Sequence, residues 1–369
     1  MKVKISAAEA KKKTRVAREF STSGVSIVPK IKIMALKENV IFQTADFNKA
    51  CTIRVESQGI EEQGHVIVNL NRFYGLLQGF GDRILELKTS RNHLSLTDGI
   101  VRASLQLLTE EEFPQIPMPN PNSSKIQVDT KALLEALNKV QFACQQTQSG
   151  GLPGFKDVIY FKSPIVFATN SIKIGVLNRD FGIEHLGVPI NTVKYLDVFE
   201  SEQTIVTPEP DRMFFKCGDY LFSFAEINAR PPDIDRILEM YSKPVVIYNM
   251  TKDQVASFAT YVSQFTAIAQ QVTLYCVDDG IYIAAVGETD TAIVKMECER
   301  NQKGTPLIVS YNGSFLLSAL KEFDKEVELG FFGEKNPILI RDENMLSLVQ
   351  AVLFPRERAI LDLVKETIG

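Results

Sequence analysis

No run of about 18 apolar residues occurs anywhere in this 369-residue sequence, which excludes a membrane-spanning helix as the sequence reads. The N-terminal stretch MKVKISAAEA lacks the apolar core that a secretory signal requires, so a cytoplasmic protein with no membrane partner is expected. Cysteine is scarce. Cys51, Cys144, Cys217, Cys276 and Cys298 are odd in number and widely scattered, the pattern of buried thiols in a reducing compartment and not of a disulfide frame. Histidine is scarcer still: His65, His93 and His185 form no paired metal spacing, and no C-x-x-C occurs, so neither metal nor cofactor is expected. Phosphate-cradling loops are missing as well. The GFGD of Gly79 to Asp82 is not a G-x-G-x-x-G fingerprint and follows a short helix as a turn would; GGLPGF lacks the Lys-Ser/Thr of a P-loop. Asp278 and Asp279 sit between apolar runs, as a hairpin turn does, and Cys144 falls on an apolar helix face. No catalytic constellation emerges, and the chain is not read as an enzyme.

What is present is uneven charge. The formal net charge is −4, yet EAKKKTRVAREF (residues 9–20) places Lys11, Lys12, Lys13, Arg15 and Arg18 together. On a helix, Lys11, Lys12, Arg15 and Arg18 share an arc of about 120°, with Ala10, Val16, Ala17 and Phe20 on the other side. One face packs and one offers cations. Such a face is an ordinary solvated surface or a phosphate-contacting one, since Lys and Arg displace counterions from a polyanion without reading bases.

A weak repeat changes that balance. Segments starting at Val68, Val188 and Val309 each read as a strand end, an Asn, a short helix ending in Phe, and three strands. Their anchors Asn71, Asn191 and Asn312 lie 120 and 121 residues apart. A longer helix opens each unit: Ser6 to Glu9 and Thr251 to Gln254 read as capping boxes, and Asp129 or Thr130 as the cap of KALLEALNKVQFAC. Paired strands follow each opening helix, turning at Glu38-Asn39, Ser163-Pro164 and Asp278-Asp279-Gly280. The expectation is an α+β chain of three repeated domains, 1–120, 121–243 and 244–369, each with two helices packed on antiparallel sheets. The proline-rich stretches Phe113 to Lys125 and Asn228 to Pro244 are the joints. Three similar domains could close into a ring with their helices facing inward. The other helices would add Arg72, Lys131, Lys139, Lys194 and Lys321 to the cationic lining, although Glu135 and Asp253 dilute it.

LTEEEFPQIP, FATNSIKIG, PPDIDRIL and QAVLFPR, together with the threefold length, resemble the bacterial-type sliding clamp, the beta subunit of the replicative DNA polymerase, over about residues 1 to 356. Where that family usually has Gly-His-Arg, this chain has Ser171-Ile172-Lys173, the mark of a divergent member of cellular or phage origin. The resemblance implies a DNA sliding clamp and processivity factor: a head-to-tail homodimer of six domains encircling double-stranded DNA without sequence preference. Its implied partners are the replicative DNA polymerase, the clamp loader and other clamp-binding peptides. DNA contacts are expected from Lys11, Lys12, Arg15, Arg18, Arg72, Lys131, Lys139 and Lys194. A peptide groove is implied at Leu152, Thr169, Ile174, Pro232, Ile237, Val352, Phe354, Pro355 and Arg356, and the dimer interface near Leu105, Leu107, Tyr261 and Val262. Beyond the resemblance, ERAILDLVKETIG places Ile360, Leu361, Val364 and Ile368 at helical spacing, a tail expected to pack beside the groove. The competing reading is a non-catalytic scaffold or virion repeat protein that does not bind DNA; a hydrolase with no visible site is the third.

Overall fold

The computed structural model describes residues 1–21, 28–144, 154–225 and 231–352, and beyond them 360, 362, 363 and 366. The chain divides into two compact units, Met1–Leu134 with Asn191–Glu226, and Glu135–Ile190 with Ile227–Gly369. In chain order the elements begin β1 (Lys2–Ser6), α1 (Ala7–Ser21), β2 (Lys30–Ala35), β3 (Asn39–Ala45), β4 (Lys49–Glu62), β5 (Gly64–Asn69), α2 (Leu70–Leu77), β6 (Ile84–Ser90), β7 (His93–Thr97) and β8 (Arg102–Gln106). They continue with β9 (Ile126–Asp129), α3 (Thr130–Val140), β10 (Val158–Lys162), β11 (Ile165–Thr169), β12 (Lys173–Asn178), β13 (Leu186–Pro189), α4 (Ile190–Leu196), β14 (Gln203–Glu209), β15 (Arg212–Cys217) and β16 (Tyr220–Ala225). The last are α5 (Ile234–Met240), β17 (Val246–Met250), α6 (Lys252–Thr266), β18 (Gln271–Val277), β19 (Gly280–Val286), β20 (Thr291–Met296), β21 (Leu307–Asn312), α7 (Gly313–Leu320), β22 (Val327–Phe331), β23 (Ile338–Arg341) and β24 (Met345–Val349). The expected hairpins are present as β2–β3, β10–β11 and β18–β19.

In the first unit, a 12-stranded sheet runs β8-β7-β6-β1-β4-β16-β15-β14-β9, with β2, β3 and β5 attached through β3–β4. The long β4 holds it together, because its Ala50–Glu56 stretch pairs with β3 while its two ends pair with β16 and β1. Alternation drives this: Cys51, Ile53 and Val55 are buried while Thr52, Arg54 and Glu56 face outward. Helices α1 and α2 cover the sheet with Ala10, Ala17 and Phe20, and with Leu70, Phe73 and Leu77. The second unit holds an eight-stranded sheet, β13-β10-β11-β12-β24-β23-β22-β17, and a four-stranded one, β20-β19-β18-β21. Sheet hydrogen bonding therefore crosses the expected repeat boundaries, at β4–β16 and again at β12–β24.

The repeat pattern needs one correction. Asn312 caps α7, its side chain accepting from the Phe315 amide at 3.1 Å, and Asn69 does the same for α2 at 2.9 Å. Asn71 and Asn191 instead lie one residue inside α2 and α4. The true counterpart of Asn312 is thus Asn69, because only the residue at the strand end can reach the third helical amide. Thr251 and Gln254 form the expected capping box. At α1 only half of the expected box is used. Ser6 Oγ accepts from Glu9 N at 3.4 Å, while the Glu9 carboxylate turns to Lys13 Nζ and the Glu56 amide.

All five cysteines are buried and free. Burial raises the thiols of Cys144 and Cys298 to about 12 and pushes Cys51 and Cys276 well above their ordinary value. These four therefore carry almost no thiolate near pH 8, and Cys217 is only 2% exposed. Titration with a thiol reagent at that pH is expected to label none of the five on the folded protein and all five in denaturant.

Candidate functional site

The cationic face is built on α1. Its buried residues fall on one side, and Lys12 and Arg15 are exposed on the other. Lys13 does not share that outer face. It is 6% exposed, and its ammonium donates to Glu9 (2.6 Å), Asp219 (2.8 Å) and the Arg54 carbonyl (2.5 Å). Burial opposes its charge, but the two carboxylates prevail and hold its pKa above the ordinary value. Lys11 is half-buried and donates to the Phe80 carbonyl, closing α1 on the turn that follows α2. Two of the five residues in the basic run are thus structural.

The remaining three differ in freedom. Lys12 pairs with Glu200 at 2.7 Å, a hydrogen bond that raises its pKa. Arg18 leans onto α2, with Nε donating to Asn71 Oδ1 at 3.2 Å and its guanidinium 4.4 Å from the centre of the Tyr74 ring. Arg15 is exposed, with no hydrogen bond or ion pair among the described residues. Arg72 on α2, Lys194 on α4 and Lys131 on α3 are also exposed. Lys139 is not open in the same way: half-buried, it donates to the Glu322 carbonyl in the second unit.

Sequence reasoning missed Lys49. It lies at the start of β4 and donates to the Glu19 carbonyl of α1 at 2.5 Å and the Tyr195 hydroxyl of α4 at 2.8 Å. Its ammonium stands 4.7 Å from the centre of the Tyr195 ring. Burial lowers its pKa first, and Lys194 adds to that; Asp46 opposes it. A lysine heading the alternating stretch KACTIRVE was the only signal available in the sequence.

In the second unit the FATNSIKIG stretch is the turn between β11 and β12. Asn170 Oδ1 accepts from the amides of Ile172 (3.0 Å) and Lys173 (2.9 Å), and the Thr169 hydroxyl donates to the Lys173 carbonyl at 2.9 Å. Thr169 is therefore 3% exposed and committed to the turn. Ser171 sits at φ 75°, a left-handed conformation that suits glycine. Ser171→Gly is expected to stabilise the protein by about 1 kcal/mol in chemical denaturation. Lys173 points inward, donating to the Phe142 carbonyl and to Ser318 Oγ (3.2 Å) beneath the Phe315 ring.

Ile174 packs with Leu238, Phe155 and Leu346 around buried Tyr160, Phe167 and Ile234. Pro232 and Ile237 are half-buried at the start and middle of the α5 segment. The Gln350 amide donates to the Ile172 carbonyl (2.9 Å) and the Val352 amide to Ser310 (2.8 Å), which brings the end of β24 to the 169–174 turn. Thr169, Ile174, Pro232, Ile237 and Val352 thus belong to one unit; Leu152, Phe354, Pro355 and Arg356 lie outside the described residues. Ile234 and Leu238, four residues apart in PPDIDRIL, complete the apolar wall that the sequence reading assigned to Ile237.

Of the expected dimer contacts, Leu105 is 6% exposed on β8, the edge of the 12-stranded sheet, and Leu107 is half-buried just past it. Tyr261 is half-buried. Val262 is completely buried on the inner face of α6, so its side chain is not available to a second copy. Asp278 and Asp279 are engaged by Arg300 (3.3 Å) and Lys295 (2.5 Å). Among the described residues no group of three or more His, Cys, Asp or Glu is placed to hold a metal ion, and no helix is long and apolar enough to cross a membrane.

Residues 243–356 match the family described as DNA polymerase III beta subunit, C-terminal domain. The beta sliding clamp of Staphylococcus aureus is 23% identical over 353 residues, covering 89% of this chain and 91% of its own length. Among solved structures, the DNA polymerase III subunit beta of Pseudomonas aeruginosa superposes with a TM-score of 0.85 at 14% identity, over 96% of this chain and all of that one. The Helicobacter pylori beta clamp bound to DNA ligase peptide superposes with a TM-score of 0.82 at 17% identity, with the same coverage. Residues 243–356 thus match the C-terminal domain of the DNA polymerase III beta subunit, and over nearly its whole length the chain is similar in sequence and in fold to bacterial beta sliding clamps.

Proposed function

We propose that this chain is a non-catalytic DNA sliding clamp: a ring-shaped homodimer that encircles duplex DNA and tethers the replicative polymerase for processive synthesis in the cytoplasm. The observation that carries the reading is the outer face of α1 and α2, where Arg15 and Arg72 are exposed and Arg18 leans half-buried between the two helices, while the protein's net charge is −4. Cations on helices suit contact with phosphates in any register. Weak contact permits sliding; closure of the ring supplies retention. The proposal keeps the three repeats, 1–120, 121–243 and 244–369, as the domains of each half-ring. Ring closure would join the outermost strand of the first unit, β8, to a second copy, with β20 the candidate edge in the second unit.

The apolar wall of Ile174, Ile234, Leu238 and half-buried Ile237 and Val352 is proposed to take short peptide tails from the polymerase, the clamp loader and other partners. The related Helicobacter pylori beta clamp binding a DNA ligase peptide supports this use. The test of the whole reading is topological. Loaded on nicked circular DNA, the protein is expected to co-migrate with DNA through a sizing column. Linearising the circle should then release it. Equal retention on both forms, or no retention on either, would leave the encircling role without support.

A further inference from the structure

The turns that follow β3, β11 and β19 are built alike. Asp46 N donates to the Lys49 carbonyl at 2.8 Å, Asn170 N to that of Lys173 at 3.2 Å and Gly287 N to that of Asp290 at 2.8 Å, so Lys49, Lys173 and Asp290 hold one structural position. In the first two turns a side chain also closes the loop. Asp46 Oδ1 accepts from the Asn48 and Lys49 amides, both at 2.9 Å, as Asn170 Oδ1 does from those of Ile172 and Lys173.

The two lysines also make the same set of contacts. Each ammonium donates to a carbonyl at the C-terminal end of an opening helix, Glu19 for α1 and Phe142 for α3. Carbonyls at a helix end lack helical partners and attract a cation. Each ammonium donates as well to a hydroxyl on the sixth residue of a short helix, Tyr195 of α4 at 2.8 Å and Ser318 of α7 at 3.2 Å. Each lies beside two rings: Lys49 is 5.9 Å from the centre of Phe20 and 4.7 Å from that of Tyr195, Lys173 5.5 Å from Phe142 and 5.2 Å from Phe315. Burial lowers the pKa of both. At the third position Asp290 is exposed.

Lys173 is 7% exposed, and among the described residues it pairs with no carboxylate. Such an ammonium is costly to bury unless every contact it makes is kept. Strand alternation puts Gly175 on the same face of β12. A β-carbon at Gly175 would sit 2.7 Å from the Phe142 ring, so the glycine lets that ring lie against the strand and bring its carbonyl to Lys173. Ile174 points the other way, into the wall with Phe155, Leu238 and Leu346. We propose that Lys49 and Lys173 are one clasp used twice, each fastening the second helix of the following repeat to the opening helix of its own. We further assign Lys173 as the positioning residue of the apolar wall: it holds β12 from behind, through α7, while Ile174 faces the peptide. The clasp stands on the contacts alone; the positioning role rests on the peptide-groove reading above. Buried on the opposite face of the strand, Lys173 acts on the peptide only through Ile174.

Lys173→Met, which keeps the length and removes the charge, is expected to speed amide exchange in the 170–174 turn and in α7 about tenfold and to leave α4 unchanged. Lys49→Met should do the converse, loosening α4 and sparing α7. The peptide probe is a labelled DNA ligase peptide of the kind bound by the Helicobacter pylori beta clamp. Lys173→Met should weaken its binding about tenfold, Lys49→Met should leave it unchanged, and Lys173→Arg should restore most of it. The loss is expected without a lower unfolding midpoint, because methionine removes the cost of a buried ammonium; that separates positioning from simple support. Unchanged exchange in both variants would overturn the clasp. Faster exchange with unaltered peptide affinity would overturn the positioning role. If the parent chain itself does not bind the peptide, the groove reading fails, and exchange at Ile174 alone decides whether Lys173 holds that strand. Should Lys173→Met not fold, Ser318→Ala removes one acceptor from the α7 side, and unchanged exchange in the 170–174 turn would then overturn the clasp.

Discussion

Charge reversal of Lys12 and Arg15 together is expected to abolish retention on circular DNA and to weaken duplex binding about a hundredfold at low salt. Two phosphate contacts removed should also flatten the dependence of log affinity on log salt by about 2. The two positions contribute differently. Arg15 is exposed and engages nothing among the described residues, so its charge is fully available. Lys12 is shared with Glu200 at 2.7 Å, and a carboxylate in its place would face that glutamate directly. In the proposed clamp Glu200 would thus compete with DNA for Lys12. Glu200→Gln is expected to act in the opposite direction, tightening binding by about threefold and steepening the salt dependence. The fold should survive both changes, because the buried side of α1 is untouched. A folded double variant that still holds DNA would remove α1 from the interface, and one that still assembles without ever having bound DNA would favour the scaffold reading.

The sequence made the amphipathic division of α1 legible because a helix of 15 residues repeats its pattern four times. It could not show that Lys13 turns inward. That depends on Asp219, more than 200 residues away, and on the Arg54 carbonyl, and neither leaves a local trace. Lys49 escaped for the same reason, since its partners arrive from α1 and α4. Caps were legible in part: an Asn before a short helix is a local signal, but placing it to the residue required knowing where the preceding strand ends. Glu9 misled because a carboxylate three residues past a serine serves equally well as a partner for a lysine four residues further on. Ile234 and Leu238 were passed over beside Ile237, because a seven-residue helix has too few turns to fix its buried side by pattern alone. Of the tail's apolar residues at helical spacing, Leu361, Val364 and Ile368 lie outside the described residues; that Ile360 joins Tyr282 and Ala284 could not be read, since nothing local to it names the face of a sheet some 70 residues earlier.

Phe20→Ala is expected to cost about 4 kcal/mol and to lower the unfolding midpoint on the order of 10 °C. Phe20 is fully buried at the end of α1, with its ring centre 4.5 Å from that of Phe222, 4.8 Å from Tyr195 and 5.8 Å from Phe224. One side chain therefore joins α1 to β16 and α4. Truncation removes the ring's transfer energy and leaves a cavity whose walls, Tyr195 and Phe224, are themselves stacked 6.1 Å apart and resist collapse. The Lys49 ammonium lies 5.9 Å from the Phe20 ring, so the variant also loosens the cation that ties the end of α1 to Tyr195. Phe20→Leu, which keeps most of the volume, should cost about 1.5 kcal/mol. The two variants separate packing from function, because neither alters the outward charges of α1. If the proposed clamp depends on a rigid helix to present Arg15 and Arg18, Phe20→Ala at a temperature where it is still folded should lower retention on circular DNA more than it lowers affinity for a short duplex. Calorimetry on both variants, with retention measured in parallel, checks the stability and the functional halves of that expectation separately.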